Sequence, residues 1–461
     1  MSKRVLLLTL AVLMAVGIYT AVAEAGVEGD FTFDIWMWPQ TTTAEAAKFD
    51  IDFEALLNLD VTVSGLTIGN RAALGIAGLE HYILTLTTTL GALDMSDTFA
   101  FAAPYIGCPR RAPAKYWYID FFYAYPAFTG CHPVGDLMFV KKRVSLAMTI
   151  GGLTVDTLIM FEDVNFPAPT DSDITAVDTD SDGIYEPSEQ KFNFGAILGI
   201  SGTTVSGIEI TAKSGFCADW SIFLGYYGIG KYGGWGFIPD YAPNDIKKYR
   251  WYESVCEEGT LYLTKEFIAI ENVNLIPGLT LNNYIIMQPS PGFQFVSYIE
   301  GIYTLPMDLG TLFTWFQWLG GIELVGPSLN AVYLAMDNLE ILWYDLDGDL
   351  TMSANDEVTA AFSFDLQAAS VLFQTLYVPT LGIDRVLVEV DLPISYPEPI
   401  GTLEITSLWA APQAGAGVVW DAVDFHLSKA FGEHNTFMID AQFDSDGLRA
   451  VEIEIGVSFS L

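Results

Sequence analysis

From Phe49 to Val63 the chain alternates. Phe49, Ile51, Phe53, Ala55, Leu57, Leu59, Val61 and Val63 are apolar, while the positions between them include Asp50, Asp52, Glu54, Asn58, Asp60 and Thr62. A period of two predicts a β-strand with one dry face and one wet face. Four carboxylates on a single strand face cannot point into a dry core without a severe desolvation cost, so this face is expected to meet water. The same pattern closes the sequence. In Val451–Leu461 the odd positions are apolar and the even ones are Glu452, Glu454, Gly456, Ser458 and Ser460.

Alternation recurs along the whole chain. After Phe31–Trp38, strands are expected within Leu79–Leu93, Lys115–Tyr125, Met138–Ile150, Leu153–Phe161, Phe192–Ile200, Leu261–Ile270, Leu279–Met287, Phe293–Leu305 and Thr311–Leu319. Further strands are expected within Leu329–Tyr344, Val358–Leu366, Val371–Val378, Ile383–Val390, Leu403–Trp409, Val418–Leu427 and Thr436–Phe443. Tight turns at Ser64-Gly65, Gly151-Gly152, Met307–Gly310 and Asp444–Gly447 read as hairpin connections. A strand at the very end of a chain needs a partner, and pairing last with first closes a barrel and removes the aggregation-prone edges of an open sheet.

The fold class expected is therefore all-β, a closed transmembrane antiparallel β-barrel of roughly 16–22 strands. At about 3.3 Å per residue the apolar face of Phe49–Val63 is longer than the roughly 25 Å apolar band of a membrane barrel, even when tilted. A β-sandwich alternates too, but its solvent face would normally carry lysine. Here the polar faces are Asp, Glu, Asn, Thr, Ser and Gly, as in an aqueous lumen. Aromatic residues gather at strand ends, at Trp36/Trp38, Tyr116–Tyr118, Trp315/Trp318, Trp343-Tyr344 and Trp409, which suits a girdle at the membrane interface.

Composition adds the compartment. Lys3 and Arg4 precede an apolar run from Val5 to Val16, and Ala21, Ala23 and Ala25 offer cleavage, so residues 1–25 read as a signal peptide and 26–461 as a single β-barrel domain. Beyond residue 25 there is no run of 18 uncharged apolar residues, although 51% of the chain is hydrophobic, so no helix is expected to span a bilayer. The net charge is −37, from 20 Lys+Arg against 57 Asp+Glu. Such a surface repels nucleic acid and attracts cations. Four cysteines in an exported chain read as disulfides, and of the three pairings they allow, Cys108 with Cys131 and Cys217 with Cys256 are preferred.

The signal segment, the acid-lined alternation and the terminal strand ending on Phe459 and Leu461 together resemble outer-membrane β-barrel proteins of the porin type. That resemblance implies a channel in the outer membrane for small hydrophilic solutes or cations, with Asp50, Asp52, Glu54, Asp60, Glu452 and Glu454 lining the pore. Its partners would be outer-membrane lipid and those solutes, with a homo-oligomer left open. Two other classes remain: a structural surface-layer or sheath protein cross-linked by calcium, and a secreted β-sandwich adhesin. No G-x-S-x-G elbow or H-E-x-x-H is present, and His81, His132, His426 and His434 show no metal spacing, so an enzyme is not expected. Gly228–Gly233 matches G-x-G-x-x-G but lacks a following helix and is discounted as a nucleotide site.

Long surface loops are expected near 104–133, 163–190, 213–258 and 345–357. The stretch Asp178–Glu189 resembles the calcium loop of EF-hand and dockerin-like proteins, with Asp178, Asp180, Asp182, the Ile184 carbonyl, Glu186 and Glu189 as a hard-oxygen shell for Ca²⁺. A second, looser copy runs through Asp345, Asp347, Asp349, Thr351 and Asp356, with Leu350 where the turn wants glycine. The rare cations Arg110, Arg111 and Lys115, with Lys141, Lys142 and Arg143, read as solvated loop and strand-end residues or as partners in salt bridges across the wall. A sharper reading places them on a loop folded into the pore, opposite the acidic wall.

Overall fold

The computed structural model describes residues 26–39, 49–75, 78–104, 137–165, 186–217, 219–224, 247–252, 256, 260–289, 294–320, 330–345, 351–354, 356–366, 369–395, 399–411, 417–431, 434–444 and 447–460. The N-terminal half holds β1 (Gly26–Pro39), β2 (Phe49–Val63), β3 (Leu66–Gly75), β4 (Gly78–Leu90), β5 (Leu93–Ala102), β6 (Met138–Ile150), β7 (Leu153–Asp163), β8 (Phe192–Thr203) and β9 (Glu209–Phe216). A short hairpin, β10 (Asp219–Leu224) and β11 (Lys247–Tyr252), follows. Then come β12 (Leu263–Ile276), β13 (Leu279–Gln288), β14 (Gln294–Thr304), β15 (Thr311–Gly320), β16 (Asn330–Met336), β17 (Leu339–Asp345) and β18 (Glu357–Leu366). The last six are β19 (Ala369–Val378), β20 (Gly382–Ser395), β21 (Pro399–Ala410), β22 (Val419–Phe431), β23 (Asn435–Asp444) and β24 (Gly447–Ser460).

All but β10 and β11 form one 22-stranded antiparallel sheet, in which β9 pairs directly with β12 and the hairpin stands apart as a two-stranded sheet. The sheet closes on itself. β24 pairs with β1 from Glu28↔Ser460 to Met37↔Val451, placing Phe31, Phe33, Ile35 and Met37 opposite Val457, Ile455, Ile453 and Val451. A single closed sheet has no second layer to pack against, which removes the β-sandwich adhesin from consideration.

Turn chemistry sets the short connections. Ser64 and Gly65 both have positive φ (51° and 83°), as do Gly151 and Gly152 (60° and 86°), the backbone that a two-residue hairpin matching the strand twist demands. Short connections of this kind lie at the end of the barrel that holds both termini. The opposite end carries the long segments between β5 and β6, β7 and β8, and β9 and β12. The expected loops near 104–133, 163–190, 213–258 and 345–357 all leave from this end, and β10–β11 occupies part of the third.

Alternation sorts the wall into two faces. Outward positions are apolar and solvent-facing, including Ile51, Val155, Ile159, Phe194, Leu198, Ile299, Phe362, Phe373, Phe425 and Ile455. Aromatic rings gather outward near the loop end of β6–β8, where Phe161 and Phe192 stack at 4.7 Å between ring centroids. Four residues expected in the girdle have the inward parity instead, Trp36 and Trp38 by their register with Asp52 and Asp50 among them. Trp315 (1% exposed) and Tyr344 (0%) occupy the inward parity and are buried, because neighbouring strand positions alternate faces whatever their chemistry.

Three barrel strands, β3, β5 and β9, were not anticipated, nor was β10 within the expected loop 213–258. Gly69, Ala73, Ala100 and Ala102 weaken the polar contrast on the inward faces of β3 and β5, whereas β9 alternates Glu209, Thr211 and Lys213 with Ile210 and Ala212 over only eight residues. Leu329–Tyr344, expected as one strand, is two, with β16 and β17 joined by a tight turn at Asp337-Asn338. The segment 1–25, Cys108, Cys131, Arg110, Arg111, Lys115 and the expected strand Lys115–Tyr125 lie outside the described residues.

Candidate functional site

The interior wall is divided into arcs. From β20 through β24 to β1 and β2, inward rows carry Glu389, Asp391, Glu404, Asp424, Asp440, Glu452, Glu454, Asp30, Asp34 and Asp60. Of the residues expected to line the pore, Asp60, Glu452 and Glu454 fall in this arc; Asp50, Asp52 and Glu54 share the register of β2, and their side chains lie outside the described ones. Asp34 is cross-strand from both Glu54 and Glu454, and Trp36 from both Asp52 and Glu452. Asp50 pairs with Trp38 and Asp60 with Glu28, in the same alternation. Within the arc Asn58 donates to Asp30 Oδ2 at 2.7 Å and His426 Nδ1 lies 2.6 Å from Asp440 Oδ1.

Cations cluster elsewhere. Arg71, Lys141, Arg143, Lys213 and Lys265 occupy inward rows of β3, β6, β9 and β12. Lys141 Nζ sits 3.1 Å from Glu162 Oε2 and Lys213 Nζ 3.2 Å from Asp156 Oδ2. Lys141 and Arg143 thus belong to the wall, where Lys141 makes a salt bridge across β6 and β7. Lys142 has the opposite parity and faces outward, paired with Asp97 at 3.2 Å and lying over the Phe99 ring.

Between these arcs, from β12 to β20, the inward face is apolar and aromatic. Phe267, Tyr284, Trp315 and Tyr298 form a chain of stacked rings, with Phe313, Tyr333 and Leu342 in the same cluster. Several polar groups in this arc are paired with near neighbours. Tyr284 donates to Glu271 Oε1 at 2.6 Å, Tyr333 to Glu340 Oε2 at 2.7 Å, and Asn282 to Glu300 Oε1 at 2.5 Å.

Burial divides the interior a second way, along the barrel axis. Inward residues in the loop-side half, such as Asp34, Ala73, Val140, Met160, Asn193, Tyr333, Leu387, Asp424 and Gln442, are buried. Inward residues toward the termini, including Asp60, Thr62, Asp94, Thr149, Glu209, Asp365 and Ser458, are exposed. Inward side chains are thus buried in the loop-side half and exposed toward the termini, where the inward face forms an acid-lined vestibule.

The calcium loops are partly visible. Asp178, Asp180, Asp182 and Ile184 lie outside the described residues, as do Asp347 and Asp349. Glu189 Oε2 accepts the Glu186 backbone N–H at 2.9 Å, and Ser188 donates to Glu186 Oε2 at 3.2 Å. Asp345 and Asp356 are both fully buried: Asp345 accepts from Asn330 Nδ2 at 2.8 Å, and Asp356 accepts from the Ser353 backbone N–H at 2.8 Å and from Trp343 Nε1 at 3.3 Å. Thr351 is described and has a partner of its own. Among the described residues no three acidic, His or Cys side chains are disposed to hold a metal ion.

Cys217 and Cys256 are joined by a disulfide, as the local pairing expects. Backbone bonds fix this clasp to the barrel: Cys256 N–H donates to the Phe194 carbonyl at 2.9 Å and Cys217 N–H to the Tyr262 carbonyl at 3.0 Å. The bridge gathers the segment that carries β10 and β11 against the rim of β8, β9 and β12. The inward acids Glu389, Asp391, Glu404, Asp424 and Asp440 escaped the sequence reading, although the alternation that picked out Asp50–Glu54 is present in their strands too.

No family model matches the chain, and no curated protein does. Solved structures similar to it include a mutant of the ferric enterobactin receptor from Pseudomonas aeruginosa, at 9% identity over 94% of this chain and 80% of that one, with a TM-score of 0.43. A mutant porin from Rhodopseudomonas blastica matches at 11% identity over 94% of this chain and all of that one, with a TM-score of 0.24. A structure described as showing asymmetric conductivity of engineered proteins matches at 13% identity, 95% and 100% coverage and a TM-score of 0.29. At such identities and scores the likeness carries no argument about activity, and the barrel rests on the chain's own strand pairing.

Proposed function

We propose that this chain is a porin-like channel of the outer membrane, passing small hydrophilic solutes or cations through an acid-lined interior. The observation that carries the reading is the arc from β20 to β2, which is apolar on its outward face and carboxylate-rich on its inward one. An apolar exterior on a closed barrel is stable in lipid, where every backbone group finds its partner in the wall. An interior of one charge sign concentrates cations and excludes anions.

Ca²⁺ belongs to the proposal as a stiffener of the loop end, held by Asp178, Asp180, Asp182 and Glu189; the support is the spacing of their hard oxygens. The test of the channel reading is reconstitution in a planar bilayer with reversal potentials measured across a salt gradient. Cation preference is expected, weakening as the screening length falls from about 10 Å at 0.1 M to about 3 Å at 1 M. Neutralising Asp60, Glu452 and Glu454 as Asn or Gln should reduce it. Anion preference, or a purified chain soluble in plain buffer without detergent, would overturn the reading.

A further inference from the structure

Within the acidic arc one patch is unlike the rest. The register aligns Glu389, Thr406, Asp424 and Gln442 in one row across β20–β23, and Asp391, Glu404, His426 and Asp440 in the next. Residues directly opposed on one face of a sheet hold their Cβ atoms about 4.5–5.5 Å apart. Neither row contains a lysine or arginine, and His426 is committed to Asp440 at 2.6 Å. Asp424 and Asp440 are each 3% exposed. Crowded carboxylates removed from water must be protonated or neutralised by a cation.

The second observation is Gln442. It is completely buried, opposite Asp424, and neither Oε1 nor Nε2 has a hydrogen-bond partner among the described residues; the same holds for Asp424 Oδ1. Buried amides are almost always satisfied, so an unpaired one beside an unpaired carboxylate oxygen points to a group that these atoms would bind. Asp424 Oδ1 and Gln442 Oε1 are both hard oxygens, suited to a hard cation. A divalent ion would ask for several converging carboxylates, and among the described residues no such convergence exists.

We infer that Asp424 and Gln442, flanked by Glu404 and Asp440, form a binding site for a small, partly dehydrated monovalent cation of the alkali type. Water completes the ion's shell, and the Gln442 amide nitrogen donates to that water. This deepens the cation-path reading by naming a station on the path.

The experiment uses the full-length barrel in detergent, with thermal unfolding followed in potassium or sodium chloride and in N-methylglucamine chloride at equal ionic strength. The large organic cation screens charge equally but does not fit the patch. A saturable rise in the unfolding midpoint with the alkali salts alone is expected, and it should be lost in Asp424→Asn and in Gln442→Met but kept in Asp60→Asn, which lies in the open vestibule. Identical midpoints in the two kinds of salt, as a simply protonated Asp424 would give, overturn the proposal. So does an alkali-specific rise that persists in both variants. Should either variant fail to fold, ²³Na line broadening by the wild-type protein, reversed by added potassium, serves instead, and absence of broadening overturns the site. Bilayer recordings separate the two readings: selective conductance without the alkali effect removes the site and leaves the channel, and the alkali effect without conductance does the reverse.

Discussion

Changing Lys141 to Met should cost far more stability than an ordinary surface charge. The ammonium lies 3.1 Å from Glu162, and the two side chains are only 10% and 6% exposed, between β6 and β7 in the loop-side half of the interior. Removing one partner of a buried ion pair costs about 3–5 kcal/mol. That is a fall of roughly two to three and a half decades in the folding equilibrium, at about 1.4 kcal/mol per decade. Exposed pairs contribute only about 0–1 kcal/mol, so the two situations are well separated. Replacing both residues, as Lys141→Met with Glu162→Leu, should recover most of the loss, since apolar substitutes of similar volume spare both desolvation costs. Urea unfolding of the barrel in micelles, followed by tryptophan fluorescence with matching refolding scans, gives the four corners of the cycle. A loss below about 1 kcal/mol for Lys141→Met would show that water reaches the pair and that the loop-side interior is open. Equal losses in the single and double variants would refute the coupling.

Gly310 has φ +134°, and a Cβ there would collide with the Ala335 carbonyl on β16; Gly310→Ala should destabilise the barrel by about 1–3 kcal/mol, read as a lower urea midpoint at an unchanged slope. Opening the Cys217–Cys256 bridge, whose cysteines are 39 residues apart, should cost about 4 kcal/mol on the loop-closure model, and mass spectrometry of the unreduced protein should find these two half-cystines in one linked peptide pair. Calcium binding measured by calorimetry should lose a site in Asp180→Asn with Asp182→Asn, and an unchanged stoichiometry would remove that loop from the calcium set.

The strands that carry strong contrast were legible in the sequence because side-chain direction in a strand has a period of two, whatever lies beyond it. Phe49–Val63 and Val451–Leu461 show one oily and one charged face, and the structure pairs both stretches with β1 at the seam where the sheet closes. Turn residues were legible for a similar local reason, since Ser64-Gly65 and Gly151-Gly152 can take the positive φ that their hairpins need. Contrast is also what weakened for β3 and β5, where glycine and alanine occupy part of the inward face. Trp315 and Tyr344 were read as girdle residues from their type and place near strand ends, yet their parity turns them inward against Tyr284, Tyr333 and Leu342.

Which strands stand side by side is a property of the closed sheet rather than of any segment. Glu404, Asp424, Asp440 and Gln442 come from three strands, and only the register brings them into one patch. Likewise an inward side chain can face water or protein with the same local sequence. Asp60 and Asp34 are both inward acids on neighbouring strands, one exposed near the termini and the other buried toward the loop end. Periodicity fixes the face a residue presents, and what that face meets is decided by parts of the chain distant in sequence.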